Sequence, residues 1–174
     1  MRIAITSSSR DEIDNIYKEE AKPIIEYLAD KGYELNWGAG DKGIMGICYD
    51  EFNKRGNHIY GYTTPGYVDK LENLSNATNI VFDTTFELKK ELFNDSDVII
   101  CLPGGIGTVS EILSYLEEIR SNNITKRIII CNINGWFNTF DQGIKELVDN
   151  KFADASLTSL YEIVNNVDEF KSIF

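Results

Sequence analysis

The run Asp97-Val98-Ile99-Ile100-Cys101-Leu102, followed at once by Pro103-Gly104-Gly105-Ile106-Gly107-Thr108, constrains the fold of this chain more than any other segment. A short apolar run of this kind reads as a strand. The proline and glycines end that strand, and Ile112, Leu113, Leu116 and Ile119 then recur at helical spacing. The order strand, glycine turn, helix is a βα unit. Glycines in such a turn let the backbone approach an anion closely, and the free amides and positive dipole end of the next helix attract a phosphate.

The same order repeats along the chain. Arg2 to Ser7 reads as a strand, and Ser9-Arg10-Asp11-Glu12 as a capping box opening a helix whose Ile13, Ile16, Tyr17, Ile24, Ile25 and Leu28 share a stripe. Pro23 is expected to kink this helix and Lys31-Gly32 to end it. Tyr33 to Trp37 is a second strand that breaks into the loop Gly38 to Gly46, with a helix running on to about Arg55. A third strand spans His58 to Thr63, residues 64 to 76 form an irregular excursion placed to cover a site, and Ile80-Val81-Phe82 is a fourth strand. Phe86 to Phe93 is helical. Past the central unit come a strand over Arg127 to Asn132, a helix from about Trp136 to Asn150 and a short strand near Tyr161 to Val164.

This alternation predicts an α/β fold: a Rossmann-like, doubly wound, mainly parallel sheet with helices on both faces, formed as one domain over residues 1–174. The turns at Ser7, Gly40 and Gly104 then fall at the carboxyl ends of strands, where sheets of this kind form their binding crevice.

Composition narrows the function. The chain carries 28 acidic against 17 basic residues, a formal charge of −11, which opposes nucleic-acid binding because that depends on neutralising many phosphates. A small anion is still compatible, since local amides act over a few ångströms while distant charges are screened. No apolar run reaches the ~20 residues that a membrane helix needs, and Met1-Arg2-Ile3-Ala4-Ile5 enters a strand without the layout of a signal peptide, so a cytoplasmic location is expected. Cys48, Cys101 and Cys131 are odd in number and set among apolar neighbours, which suits small buried hydrophobes in a reducing compartment. A single histidine and no C-x-x-C leave no transition-metal constellation, so no structural or catalytic transition metal is expected.

Glu111 has two readings at this level. Thr108-Val109-Ser110-Glu111 fits the T-x-x-E capping box, in which the acid only satisfies an orphan amide. Equally, the acid stands early in a helix whose start is suited to a phosphate, where a carboxylate would meet a bound phosphorylated ligand. Trp136, after Asn134-Gly135, reads as an anchor of its helix against the sheet rather than a base-stacking platform.

The nonapeptide Pro103 to Glu111 as a whole resembles the PGGxGTxxE signature of the Lonely Guy (LOG) family, also described as lysine decarboxylase-like, with every fixed position present. Upstream, Gly38-Ala39-Gly40-Asp41-Lys42-Gly43-Ile44-Met45-Gly46 is similar to that family's GGGxxGLMG segment, with Ala39 and Ile44 as substitutions. Thr6-Ser7-Ser8-Ser9 stands where the family has a serine-bearing first turn, so the resemblance covers nearly the whole chain. It implies a cytokinin riboside 5′-monophosphate phosphoribohydrolase: a homodimer that hydrolyses the N-glycosidic bond of a nucleoside 5′-monophosphate, releasing base and ribose 5-phosphate without a cofactor. The residues it marks are Glu111 and Lys89 for catalysis, and Gly104, Gly105, Gly107, Thr108, Ser7, Ser8, Gly40, Gly43 and Met45 for the phosphate and nucleotide. One segment departs from the pattern. Where the family has an M-H-x-R-K-like run, this chain has Thr85-Phe86-Glu87-Leu88-Lys89, so Leu88 takes the arginine position and Lys89 keeps the adjacent base. LOG-like domains also include non-catalytic nucleotide binders and molybdenum-cofactor carriers, and Leu88 favours that alternative.

Overall fold

The computed structural model describes residues 1–174, the side chain of Lys70 excepted. Seven strands form one sheet: β1 (Arg2–Thr6), β2 (Glu34–Trp37), β3 (Ile59–Thr63), β4 (Thr78–Val81), β5 (Val98–Cys101), β6 (Arg127–Cys131) and β7 (Glu162–Val164). Their order is β4-β3-β2-β1-β5-β6-β7, and every pairing is parallel. The chain therefore winds outward from β1 to β4, crosses back, and winds outward again from β5 to β7. The reversal between β1 and β5 is the topological switch point of a doubly wound Rossmann-like sheet.

Six helices cover it: α1 (Asn15–Asp30), α2 (Gly43–Lys54), α3 (Thr85–Asn94), α4 (Ile106–Asn122), α5 (Asn138–Asp149) and α6 (Val167–Ile173). The unbroken apolar strands explain why both faces need a cover. Within β5 and its extension, Val98, Ile100 and Leu102 enter one core with α1, α2 and α6, while Ile99 and Cys101 enter the other with α3, α4 and α5. In β6 the split is Ile129 and Cys131 against Ile128 and Ile130. Successive side chains on a strand point to opposite faces, so a run of isoleucines feeds two cores at once. Cys48, Cys101 and Cys131 are free thiols wholly inside these cores. No helix among the described residues is long and apolar enough to cross a membrane.

Three local expectations need correction. The first helix opens later than Ser9: α1 begins at Asn15, capped by the Asp14 side chain on the Ile16 amide. Asp11 instead accepts the Gly43 amide at 2.8 Å, and Ser8 Oγ accepts the Arg10 amide at 3.2 Å, so the would-be cap is used to tie two loops together. α1 runs on through Pro23 to Asp30. The excursion after β3 is ordered as a 3₁₀ turn over Pro65–Asn73. Finally, a helix unforeseen in the sequence, α6, closes the chain. Its Phe170 and the following Phe174 pack edge-on against Tyr27 of α1, at 6.2 and 6.4 Å between ring centres.

Candidate active site

At the carboxyl ends of β1, β3 and β5 lies a cavity of about 440 Å³. Its wall includes Thr6, Ser7, Ser8, Ser9 and Arg10 from β1 and its loop, Gly38 and Met45 from the second glycine segment, Tyr62 and Thr63 from the end of β3, and Thr64 and Tyr67 beyond it. Thr85, Leu88 and Lys89 of α3 and Gly105, Ile106, Gly107, Thr108 and Glu111 at the start of α4 close it. The cavity sits at the switch point, where the loops after β1 and β5 separate.

The β5–α4 turn supplies its donors. Gly105 is the N-cap of α4 and has no side chain to offer, and the first amide bonded within the helix is Val109, to the Gly105 carbonyl at 3.1 Å. The Ile106, Gly107 and Thr108 amides thus have no partner among the described residues, as the first turn of a helix requires unless a cap or ligand serves them. A Cβ added at Gly105 or Gly107 would meet nothing within 4 Å, so both glycines face open space. The Ser7 hydroxyl, on the same wall, is buried with no hydrogen-bond partner other than the Cys48 thiol beside it.

Gly104, Gly40 and Gly43 stand off the cavity wall, and each has a packing reason to be glycine. A Cβ at Gly104 would lie 2.1 Å from Thr108 Oγ1 and 3.0 Å from the Ser7 carbonyl carbon, so its absence lets α4 and the β1 loop close on the turn. Gly43 has φ +59°, and a Cβ there would lie 2.6 Å from the Arg10 carbonyl oxygen. Gly40 leaves room for the Met45 side chain, and its carbonyl accepts the Trp37 indole N–H at 3.3 Å. The second glycine segment therefore acts mainly as a brace. The Met45 amide donates to Ser8 O at 3.1 Å, and the Ser8 amide donates to Pro103 O at 3.0 Å, which joins the three loops in series.

Trp136 is half-exposed. Its Nε1–H donates to the Gly104 carbonyl at 3.1 Å, and its ring meets Tyr17 edge-on at 5.3 Å. It anchors the glycine turn, not the sheet, which corrects the expectation drawn from the sequence.

Glu111 is not a cap. The N-cap of α4 is Gly105, so Thr108 lies inside the first turn and no capping box forms with the acid. Glu111 Oε2 accepts a hydrogen bond from the Thr6 hydroxyl at the end of β1. Burial raises the carboxyl to about 7, and the Thr6 hydrogen bond and the positive charge of Lys89 hold it from rising further. Lys89 Nζ donates to Ser110 Oγ at 2.7 Å and lies 5.6 Å from the centre of the Phe86 ring. α3 is fixed by a true capping box, Thr84 with Glu87, so Leu88 and Lys89 are presented to the cavity from a well-started helix.

The structure thus gathers Ser7, Ser8, Met45, Lys89, Gly105, Gly107, Thr108 and Glu111 of the predicted set around one cavity. It adds polar residues that the sequence did not mark as site residues, Thr6 and Arg10 among them. A carboxyl near neutrality, a lysine and a row of unpaired amides within one cavity suit a phosphorylated ligand whose reacting part lies near the acid. Among the described residues, no group of three or more His, Cys, Asp or Glu side chains is placed to hold a metal ion.

Comparison with known proteins places the chain in a family. A family model described as "possible lysine decarboxylase" matches residues 45–173. The chain is 24% identical over 180 residues to the cytokinin riboside 5′-monophosphate phosphoribohydrolase LOG5 of Arabidopsis thaliana, covering 99% of this chain and 79% of that one. It is 28% identical over 149 residues to the probable cytokinin riboside 5′-monophosphate phosphoribohydrolase LOG4 of Oryza sativa subsp. japonica, covering 82% of this chain and 62% of that one. Among solved structures, the molybdenum cofactor carrier protein of Chlamydomonas reinhardtii superposes with a TM-score of 0.71 at 16% identity, covering 99% of this chain and 94% of that one, a likeness of fold. Since the family model runs from α2 to α6 and so spans most of the molecule, the chain belongs to the family described as possible lysine decarboxylase, the LOG family.

Proposed function

We propose that this protein hydrolyses the N-glycosidic bond of a nucleoside 5′-monophosphate, giving the free base and ribose 5-phosphate. The observation that carries the reading is the position of Glu111, a carboxyl raised to about 7 in the same cavity as the unpaired amides of the α4 N-terminus. Its relatives in the LOG family include proteins named as phosphoribohydrolases.

In this mechanism the phosphate binds at Gly105 to Thr108 with Ser7 and Ser8, held by amides and the helix dipole. Its binding energy orients the ribose, a remote group lowering the barrier at the anomeric carbon. As the base departs, positive charge builds on the sugar ring, as in glycoside hydrolysis. Glu111 in its ionised form stabilises that charge, orients the ribose hydroxyls or polarises the attacking water. Lys89 keeps part of the Glu111 population ionised at neutral pH. The chain acts as one domain in a cytoplasmic homodimer, with no cofactor and no nucleic-acid partner, as its family resemblance and its charge of −11 suggest.

A second reading keeps the site but drops the chemistry: a binder of nucleotide or of molybdenum cofactor, the latter being what the Chlamydomonas protein is named for carrying. Leu88 favours it, because an apolar side chain lines the cavity where the LOG-like segment carries arginine. Incubating the protein with a panel of nucleoside monophosphates and assaying ribose 5-phosphate separates the two. Release of ribose 5-phosphate supports the hydrolase, and tight binding without release supports the carrier.

A further inference from the structure

The chain has five arginines, and four of them face a carboxylate. Arg2 pairs with Glu34 at 3.0 Å, Arg120 with Glu117 at 2.9 Å, Arg127 with Glu162 at 2.6 Å, and Arg55 with Asp30 and Glu51. The guanidinium of Arg10 has no hydrogen-bond or ion-pair partner among the described residues, although acids outnumber bases by 28 to 17. Arg10 is an exposed residue that lines the Glu111 cavity together with Ser7 and with Ile106, Gly107 and Thr108, whose amides are unpartnered among the described residues.

Its backbone is held firmly for an exposed loop. The Arg10 amide donates to Ser8 Oγ at 3.2 Å, the next residue accepts the Gly43 amide at 2.8 Å, and the Ser8 carbonyl accepts the Met45 amide at 3.1 Å. Gly43 presses so closely on this strand of loop that any Cβ there would fall 2.6 to 2.8 Å from the Ser8 and Arg10 backbone. The Ser8 amide, in turn, donates to Pro103 O, the residue that opens the glycine turn. The point from which the Arg10 side chain departs is therefore fixed relative to the amides of Gly105 to Thr108.

From this geometry we propose that Arg10 is the side-chain cation that recognises the anionic group of the ligand, a phosphate monoester, and that it selects phosphorylated ligands over their neutral counterparts. The proposal rests on the reading that an anion occupies the α4 N-terminus. A guanidinium offers a planar fork of donors that engages two phosphate oxygens, which an ammonium cannot reproduce. The other cation on the wall, Lys89, is already engaged with Ser110 Oγ and with Glu111. That leaves Arg10 to balance the second charge of a phosphate dianion.

Isothermal calorimetry with adenosine 5′-monophosphate, adenosine and inorganic phosphate on the wild type, Arg10→Gln and Arg10→Lys tests this. Wild type is expected to prefer the monophosphate to adenosine. Arg10→Gln is expected to lose roughly 10- to 100-fold in affinity for the monophosphate, the range of a charge-assisted hydrogen bond, with adenosine affinity unchanged. Arg10→Lys should fall between the two. An unchanged melting temperature in Arg10→Gln is expected because the side chain has no partner to lose. If wild type discriminates and Arg10→Gln discriminates equally, the role of Arg10 is overturned while the anion site stands. If wild type binds the monophosphate and adenosine equally, the anion site and the proposal fall together.

Discussion

Replacing Glu111 by glutamine separates the chemistry of this side chain from its place in the fold. Glutamine has the shape of the protonated acid, and its amide oxygen can still accept the Thr6 hydroxyl hydrogen. It cannot carry charge. In the native protein the Glu111 carboxyl titrates at about 7, against 4.5 as its ordinary value in the unfolded chain. Between those values the native state holds a proton that the unfolded state has released, so this group's contribution to stability is complete below 4.5 and is lost as pH rises through about 7. At ~1.4 kcal/mol per pH unit the full loss is of order 3 kcal/mol, and about 2 kcal/mol of it falls between pH 5 and pH 8. Glutamine escapes that loss. Urea unfolding at the two pH values should therefore show Glu111→Gln gaining about 2 kcal/mol relative to wild type on going from pH 5 to pH 8, equivalent to a rise of roughly 4 to 8 °C in Tm for a chain of this size. The same variant should bind the monophosphate and lose ~10²-fold or more in turnover. A stability difference that is equal at pH 5 and pH 8 would refute a buried, raised carboxyl, and a wild-type rate in the variant would remove its catalytic role.

The remaining predictions concern its neighbours. Thr6→Val deletes one of the two groups that hold the Glu111 carboxyl down, so the rise of kcat/KM with pH should move to higher pH, and Thr6→Ser should restore it. Leu88→Arg should raise the rate of ribose 5-phosphate release, because α3 presents this position to the cavity; a folded, nucleotide-binding variant with no gain counts for the carrier reading. Gly104→Ala should destabilise the protein by about 1–3 kcal/mol in urea, since the new methyl meets the buried Thr108 side chain. Gly107→Ala, whose methyl meets nothing in the protein, should raise Tm by a few degrees through helix propensity and weaken monophosphate binding in calorimetry.

What the sequence disclosed was whatever rests on local pattern. The apolar runs of β5 and β6 marked strands, and the alternation of strands with helices marked a sheet covered on both faces, where those isoleucines divide between two cores. The glycine turn before α4 marked a helix start open to an anion. Local pattern failed where one motif had two uses. Ser9 to Glu12 has the residues of a cap, but Asp11 is drawn away by the Gly43 amide, and Asp14 takes the cap. Thr108 and Glu111 have the spacing of a cap, but the helix starts three residues earlier at Gly105, which leaves the acid free to meet Thr6. That partner lies 105 positions away, and no period or composition reveals it. α6 went unread for a similar reason. It is 7 residues long, too short to hold on propensity alone, and owes its place to the rings of Tyr27 and Tyr33 against Phe170 and Phe174.

The indole that anchors the glycine turn also gives the site a built-in optical reporter. The chain has two tryptophans. Trp37 is wholly enclosed and stacked on Tyr49 at 5.9 Å, out of reach of an aqueous quencher. Trp136 is 46% exposed, and its N–H is bonded to the carbonyl of the residue that precedes the open amides of α4. An iodide- or acrylamide-sensitive component of the emission therefore belongs to Trp136, and a ligand settling on Gly105 to Thr108 changes the field and the solvent around that one fluorophore. Titrating phosphorylated compounds against intrinsic fluorescence would rank candidate ligands without a label or a coupled assay, whichever bond the protein breaks and even if it breaks none.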